Sequence, residues 1–351
     1  MRKDGCNMKY EHGGDIYSYP QLVDFSANIN PFGTPDEVVA AIKNAAEHVA
    51  PYPDFSCRKL RDAIAKMEGI TPEKVLCGNG AADLIYRFVG AIKPKKALLA
   101  VPCFSEYEQA LKSVGCQVVY YTLDQRTFTL TEEFLEALTE ELDMICLCTP
   151  NNPTGISIPN HLLEKIIKRC KEKNIAFLLD ECFMEFVEEE KQFLPYKDRE
   201  TYDKMFTLRA FTKMYGLAGI RLGYGFCEDG QLLEQMQLCG PPWNVSTVAQ
   251  EAGIAALGLV DFSKKIRCYI EQQKEYLYTE LKQMNLTVWQ SDANYLFFKA
   301  EKQLKEKLIK LGFLIRDCSN YVGLQDGYYR IAVKTEEENK RLIKALWNSL
   351  S

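Results

Sequence analysis

Histidine is scarce: His12, His48 and His161 are the only three, and they have no clustered spacing. The 13 cysteines, from Cys6 to Cys318, include no C-x-x-C pair. A His/Cys zinc site therefore has little support, and no metal is expected. No run approaches the roughly 18 apolar residues that a spanning helix needs, and the opening stretch MRKDGCNMKYEHGG lacks the apolar centre of an export signal. Both absences predict a cytoplasmic chain without membrane contact, whose thiols stay reduced and serve as small buried hydrophobes. An excess of basic charge is missing too. Lys and Arg number 43 against 48 Asp and Glu, a net of −5, and the two signs are interspersed, so nothing attracts nucleic acid or anionic lipid. There is no internal repeat and no low-complexity linker.

What is present is ordinary globular material, 47% apolar and 26% charged over 351 residues, enough for one large core carrying a smaller domain. Short apolar runs alternate with helical stretches: ALLAV (97–101), CQVVYY (116–121), MICLC (144–148), IAFLLD (175–180), KMFTL (204–208) and RLGYGF (221–226). Runs of that length, separated by segments such as HLLEKIIKRCKEKN (161–174), predict buried strands joined by helical crossovers, hence an α/β fold with a mostly parallel central sheet flanked by helices. After GPPWNVS (240–246) the pattern changes to a long helical reading over 247–284, then strands TVWQ, NYLFFK and YYRIAV around a helical EKQLKEKLIKLG. This predicts a smaller α+β domain. The expected division is residues 1–44, an N-terminal segment packing with the small domain; 45–246, a large cofactor-binding domain; and 247–351, the small domain.

FTKMYGLAGIRLGYGF (211–226) sets Lys213 in an apolar, glycine-rich segment with Arg221 eight residues later. In an open α/β sheet, ligands bind beyond the carboxyl ends of the strands. Asn152 follows MICLC in CTPNNPTG, Asp180 ends IAFLLD, and Lys213 comes five residues after KMFTL, so the three converge on one sheet edge. A lysine amine condenses with an aldehyde, an aspartate favours a protonated pyridine nitrogen, and an asparagine donates to a phenolic oxygen. Together they describe a pyridoxal 5'-phosphate site. GNGAAD (78–83), entering a helix, supplies backbone N–H groups for the phosphate through Gly80, Ala81 and Ala82, and Arg221 adds charge-assisted donors. Each residue alone has a plainer reading, Asp180 as a helix cap and Asn152 as a turn residue before proline. Their joint order is what points to chemistry.

CTPNNPTG, LLDECF and FTKMYGLAGIRLGY, in this order and spacing, resemble the class I/II aminotransferase superfamily of fold type I pyridoxal phosphate enzymes. The resemblance implies that Lys213 holds the cofactor aldehyde and is catalytic with Asp180, the pyridine partner; that Asn152 serves the phenolic oxygen and Arg221 the phosphate; and that Arg330, in YYRIAV, takes the substrate carboxylate. Tyr52, in PYPD, matches a tyrosine reaching the neighbouring subunit's phosphate, implying a homodimer with sites at its interface. Phe104, with Tyr107 as second choice, is the residue expected to stack on the ring.

HGGD (12–15), DFSANINPFG (24–33), PPWNVS and IRDCSNYVGL (315–324) narrow the resemblance to the branch that decarboxylates phosphorylated threonine, close to the aminotransferases of histidinol phosphate. It implies conversion of L-threonine O-3-phosphate to 1-aminopropan-2-ol O-2-phosphate for cobalamin biosynthesis, with His12, Asn30, Asn152, Arg316 and Arg330 around a small phosphorylated amino acid. Transamination of histidinol phosphate or another amino acid, or decarboxylation of serine phosphate, is the alternative. The chain departs from the aminotransferase pattern twice. Phe183 stands where a tyrosine would donate to the phenolic oxygen, which favours the decarboxylase branch, and Ala210 stands where many relatives place a phosphate hydroxyl, leaving Thr212 or the GNGA loop to compensate.

Overall fold

The computed structural model describes residues 12–192 and 201–350. The first eleven residues of the N-terminal segment, Cys6 among them, lie outside the described residues. The strands, in chain order, are β1 (Val23–Asp24), β2 (Val75–Gly78), β3 (Lys96–Val101), β4 (Gln117–Thr122), β5 (Met144–Cys148), β6 (Ala176–Asp180), β7 (Met205–Ala210), β8 (Gly223–Phe226), β9 (Thr287–Trp289), β10 (Tyr295–Lys299), β11 (Phe313–Leu314), β12 (Arg316–Asp317) and β13 (Tyr328–Ala332). The apolar runs read as strands each appear within a residue or two of the expected bounds.

Seven strands form the main sheet in the order β2-β8-β7-β6-β5-β3-β4. All neighbours pair in parallel except β8, which runs antiparallel to both β7 and β2. The exception has a local cause. Residues 211–222 return from β7 to β8 through turns without a crossover helix, and a direct return forces antiparallel pairing. Lys213 therefore lies in a loop between two antiparallel strands.

Period-two alternation divides the central strands between two cores. Ile145, Leu147, Phe177 and Leu179 face one side, against Leu163, Ile166 and Ile167 of α5 (Asn160–Lys173). Met144, Cys146, Leu178 and Phe206 face the other, against α3 (Ala81–Ile92) and α4 (Ser105–Ser113). Burial of each such side chain stabilises by about 1.5–3 kcal/mol, and both sheet faces are covered, which is why these strands read as unbroken apolar runs. Cys146 and Cys148 occupy ordinary core positions, and burial pushes both thiols well above the usual range.

A second, antiparallel sheet has the order β12-β13-β10-β9, and β1 pairs in parallel with β11 through Val23↔Phe313 and Asp24↔Leu314. The N-terminal segment is thereby tied to the C-terminal part of the chain. The single long helix expected over 247–284 is two, Thr247–Leu257 and Phe262–Gln283. Gly258 ends the first, and Asp261, with φ of 59°, turns the chain before the second. Among the described residues no helix is long and apolar enough to cross a membrane.

Candidate active site

At one edge of the main sheet the carboxyl ends of β2, β3, β5, β6 and β7 meet the start of β8. They deliver, in spatial order, Ala81, Arg221, Lys213, Asp180, Asn152 and Phe104 to a cavity of about 250 Å³. Its remaining wall comes from elsewhere: His12, Ser26, Asn28, Arg316, Tyr321 and Arg330.

Lys213 is partly buried, and no hydrogen bond or ion pair among the described residues reaches its Nζ. Burial lowers its pKa to about 8, with help from the charges of Arg330 and Arg221, against the pull of Asp180. Nζ lies 5.9 Å from the centroid of the Phe183 ring, which packs edge-on against Tyr295 at 5.1 Å. Asp180 is buried, and burial raises its carboxyl above the usual range, while donors from Tyr107 and Cys182 oppose that rise. Asn152 Oδ1 accepts a hydrogen bond from Arg330 Nη1 and one from the Tyr321 hydroxyl at 3.3 Å, which leaves its Nδ2 donors uncommitted.

The GNGA loop is shaped by close approach. A Cβ on Gly80, where φ is 81°, would lie 2.5 Å from Arg221 Nη2, and one on Gly223 would lie 2.5 Å from Ala81 N. The N-terminus of α3, with Ala81 and Ala82 on the cavity wall, thus sits directly beside the Arg221 guanidinium, an arrangement suited to an anion. Ala210 and Thr212 also line the cavity.

On the far wall Arg316 and Arg330 stand directly opposite each other in the β12–β13 pair, both buried. Arg330 Nη2 donates to Ser26 O at 2.9 Å, its guanidinium lies 5.2 Å from the Tyr295 ring, and its Nε is buried with no partner. Arg316 Nη2 donates to Asn320 Oδ1 at 2.8 Å. His12 Nε2 is 3.2 Å from Glu106 Oε1 at the cavity mouth, with Phe104 beside it.

Two residues expected in the site, Asn30 and Tyr52, are placed differently. The Asn30 side chain is consumed by the carbonyls of Gly33 and Met214, each at 2.8 Å, and by the Phe32 amide; it braces the Lys213 loop and does not line the cavity. Asn28, two residues earlier, does line it, buried and with Oδ1 lacking a partner. Tyr107, the second choice for stacking, lines the cavity, edge-on to Phe104 and with its hydroxyl 2.6 Å from Asp180 Oδ2. Tyr52 is 78% exposed and stacked on Trp243, outside its own chain's cavity. Tyr321, which contacts Asn152 and lies 5.3 Å from the Arg316 guanidinium, sits within the IRDCSNYVGL motif but was not singled out there.

Residues 20–346 match the family described as Aminotransferase class I and II, and the chain belongs to that family. It is 37% identical to the threonine-phosphate decarboxylase of Salmonella typhimurium, over 97% of this chain and 96% of that protein. It is 31% identical to the adenosylcobalamin biosynthesis bifunctional protein of Leptospira interrogans, over 99% of this chain and 40% of that longer protein. Among solved structures, the histidinol-phosphate aminotransferase from Clostridium acetobutylicum superposes with a TM-score of 0.86 at 28% identity, over 94% of this chain and 99% of that one.

Membership brings the family's cofactor, pyridoxal 5'-phosphate, and the residues fit it. An amine without a hydrogen-bond partner among the described residues, a buried carboxylate, a free amide donor and an anion cradle of Ala81, Ala82 and Arg221 all open on one cavity. Lys213 would hold its aldehyde, Asp180 its ring nitrogen, Asn152 its phenolic oxygen, and Arg221 with the start of α3 its phosphate.

Proposed function

We propose that this chain is a pyridoxal 5'-phosphate-dependent decarboxylase that converts L-threonine O-3-phosphate to 1-aminopropan-2-ol O-2-phosphate for cobalamin biosynthesis. The observation that carries the reading is the cross-strand pair Arg316↔Arg330. Like charges directly opposite on neighbouring strands are destabilising, and burial removes the water that would screen them. A substrate bearing both a carboxylate and a phosphate meets complementary charge at this pair. The likeness to the Salmonella and Leptospira proteins supports the same class of substrate and the same pathway.

When bound, the cofactor supplies an aldehyde that captures the substrate amine and a ring that takes up the electron pair of the bond broken at Cα. The chain's own residues do the rest. With a pKa of about 8, Lys213 has an appreciable neutral fraction near pH 7, so its Nζ can act as nucleophile and then as the group that carries a proton. Arg330, anchored on Asn152 and Ser26, holds the carboxylate and so determines which bond at Cα is broken. Arg316, Asn28 and His12 take the phosphate. Phe183 gives the Lys213 side of the cavity an apolar wall, which leaves Asn152 as the donor to the phenolic oxygen.

Tyr52, exposed beside Trp243, serves the phosphate of a second copy in this reading, so the working unit is a homodimer. The test is release of carbon dioxide from L-threonine O-3-phosphate by the loaded protein, with Lys213→Ala as the inactive control. Absence of carbon dioxide, with conversion of the cofactor to its amine form by histidinol phosphate, would move the chain to the aminotransferases. Serine phosphate lacks one methyl, worth about 1–3 kcal/mol in a pocket, so a competition between the two substrates sets the preference.

A further inference from the structure

The carboxylate of Asp180 is held by donors that neither substrate nor cofactor provides, the Cys182 thiol among them. Oδ1 accepts the Cys182 N–H at 2.9 Å, and Oδ2 accepts the Tyr107 hydroxyl at 2.6 Å. Tyr107 is fully buried on α4, where its ring packs against the same core as Leu178 and Phe206, so the hydroxyl has no water to turn to. Among the described residues no arginine or lysine pairs with Asp180. Glu181 is its neighbour in the chain, the Cys148 thiol lies beside it, and Lys213 acts on it across the cavity.

A buried carboxylate facing a ring nitrogen can share a proton in two ways, as an ion pair with the proton on nitrogen or as a neutral pair with the proton on oxygen. Burial favours the neutral pair, and a hydrogen bond donated to the carboxylate favours only the ion pair. The difference matters because a protonated ring draws electrons and a neutral one does so poorly.

We propose that Tyr107 is a positioning residue whose hydroxyl fixes Oδ2 of Asp180 and keeps the shared proton on the cofactor's ring nitrogen. The inference rests on the assignment of this cavity to pyridoxal phosphate. Tyr107 touches neither substrate nor ring in this role; it acts through Asp180. The spacing Phe104, Tyr107 on one helical turn then has a division of labour: both line the cavity, and only the second bonds the carboxylate.

The experiment loads the full-length protein with pyridoxal phosphate labelled with nitrogen-15 in the ring and records that resonance in wild type, Tyr107→Phe and Asp180→Asn. Wild type is expected at the protonated position and Asp180→Asn at the neutral one. Tyr107→Phe, which keeps the packed ring and removes one oxygen, should lie between them. Its kcat should fall on the order of tenfold, with KM within about twofold, the scale of one lost hydrogen bond to a charged group. As a second series that does not depend on Tyr107→Phe folding, 3-fluorotyrosine and 3,5-difluorotyrosine placed at position 107 are progressively stronger donors and should move stepwise upward the pH at which the ring resonance leaves the protonated position. A Tyr107→Phe resonance coincident with wild type while the cofactor stays bound, or a fluorotyrosine series that does not move, overturns the role of Tyr107 alone. Failure of wild type to take up the cofactor overturns the site assignment itself and this inference with it.

Discussion

On the sheet side of the cavity, Asn152, Asp180 and Lys213 are delivered by β5, β6 and β7, three neighbouring parallel strands whose ladder fixes their relative heights. The opposite side gathers His12, Asn28, Arg316 and Arg330 from segments up to about 300 residues apart, held by the β12–β13 pairing and by the bonds Ala332 N–H to Phe25 O and Arg330 Nη2 to Ser26 O. The two sides also differ in charge. The sheet side sets an amine against a carboxylate, while the far side sets two cations against each other. A wall of complementary groups is suited to hold one resident cofactor, and a wall carrying two guanidinium groups is suited to an anionic substrate. In the proposed function, reaction choice belongs to the far wall and general reactivity to the near one.

The largest effect should come from the near wall. Lys213→Ala should lower carbon dioxide release by at least about 10³-fold, because nucleophile and proton carrier are lost together. The same lysine gives a signed pH dependence. Its folded pKa, about 8, is below the ordinary 10.5, so the apoprotein should take up pyridoxal phosphate faster as pH rises through 8. Folding stability contributed by this group should likewise rise between pH 8 and 10.5, where the unfolded chain binds the extra proton. Stopped-flow absorbance and urea titrations check the two. An uptake rate flat from pH 7 to 9 would remove Lys213 from the role given to it.

On the far wall, Arg330→Leu should cost about 2–5 kcal/mol in kcat/KM, since it also strands the Asn152 and Ser26 oxygens. Arg316→Leu should cost a similar amount with threonine phosphate and little with unphosphorylated threonine. If both arginine variants lose equally on both substrates, the division of carboxylate and phosphate between them is wrong. A smaller effect belongs to the anion cradle. Gly80→Ala strains a left-handed residue by about 1–2 kcal/mol and pushes Arg221 aside, so the Kd for pyridoxal phosphate should rise about tenfold while kcat at saturating cofactor holds.

The near wall was legible in the sequence because each of its residues follows an apolar run at a fixed short distance, so finding the strand finds the residue. Arg221 and the GNGA loop were legible for the same reason. The return of β8 without a crossover was not foreseen, since a buried strand reads alike in either direction. Tyr107 was visible as an aromatic three residues beyond Phe104, but its role depends on which way the phenol points, and that is set by tertiary packing of α4. The far wall was reached through resemblance, and there the error was local. Asn28 and Asn30 have the same residue type and the same parity along an extended segment, so alternation cannot separate them. What separates them is the bond from Ile29 N–H to Ala27 O, which redirects the chain, together with the carbonyls of Gly33 and Met214 waiting on the other side.

Those two asparagines give the smallest effects and the sharpest contrast between a residue that serves the ligand and one that serves the frame. Asn28→Ala removes a side chain with a partnerless oxygen on the cavity wall, so stability should be unchanged within about 0.5 kcal/mol while KM for threonine phosphate rises several-fold, the scale of one neutral hydrogen bond at about 0.5–1.5 kcal/mol. Asn30→Ala strands the Gly33 and Met214 carbonyls, so it should cost about 1–3 kcal/mol of stability in a urea titration. Its effect on turnover should be on kcat and cofactor retention, through a looser Lys213 loop, because Asn30 N–H also donates to Lys213 O at 3.0 Å. The reverse pattern, a stability loss at position 28 and a pure KM effect at position 30, would return Asn30 to the substrate wall and require the 24–33 segment to sit differently when substrate is bound.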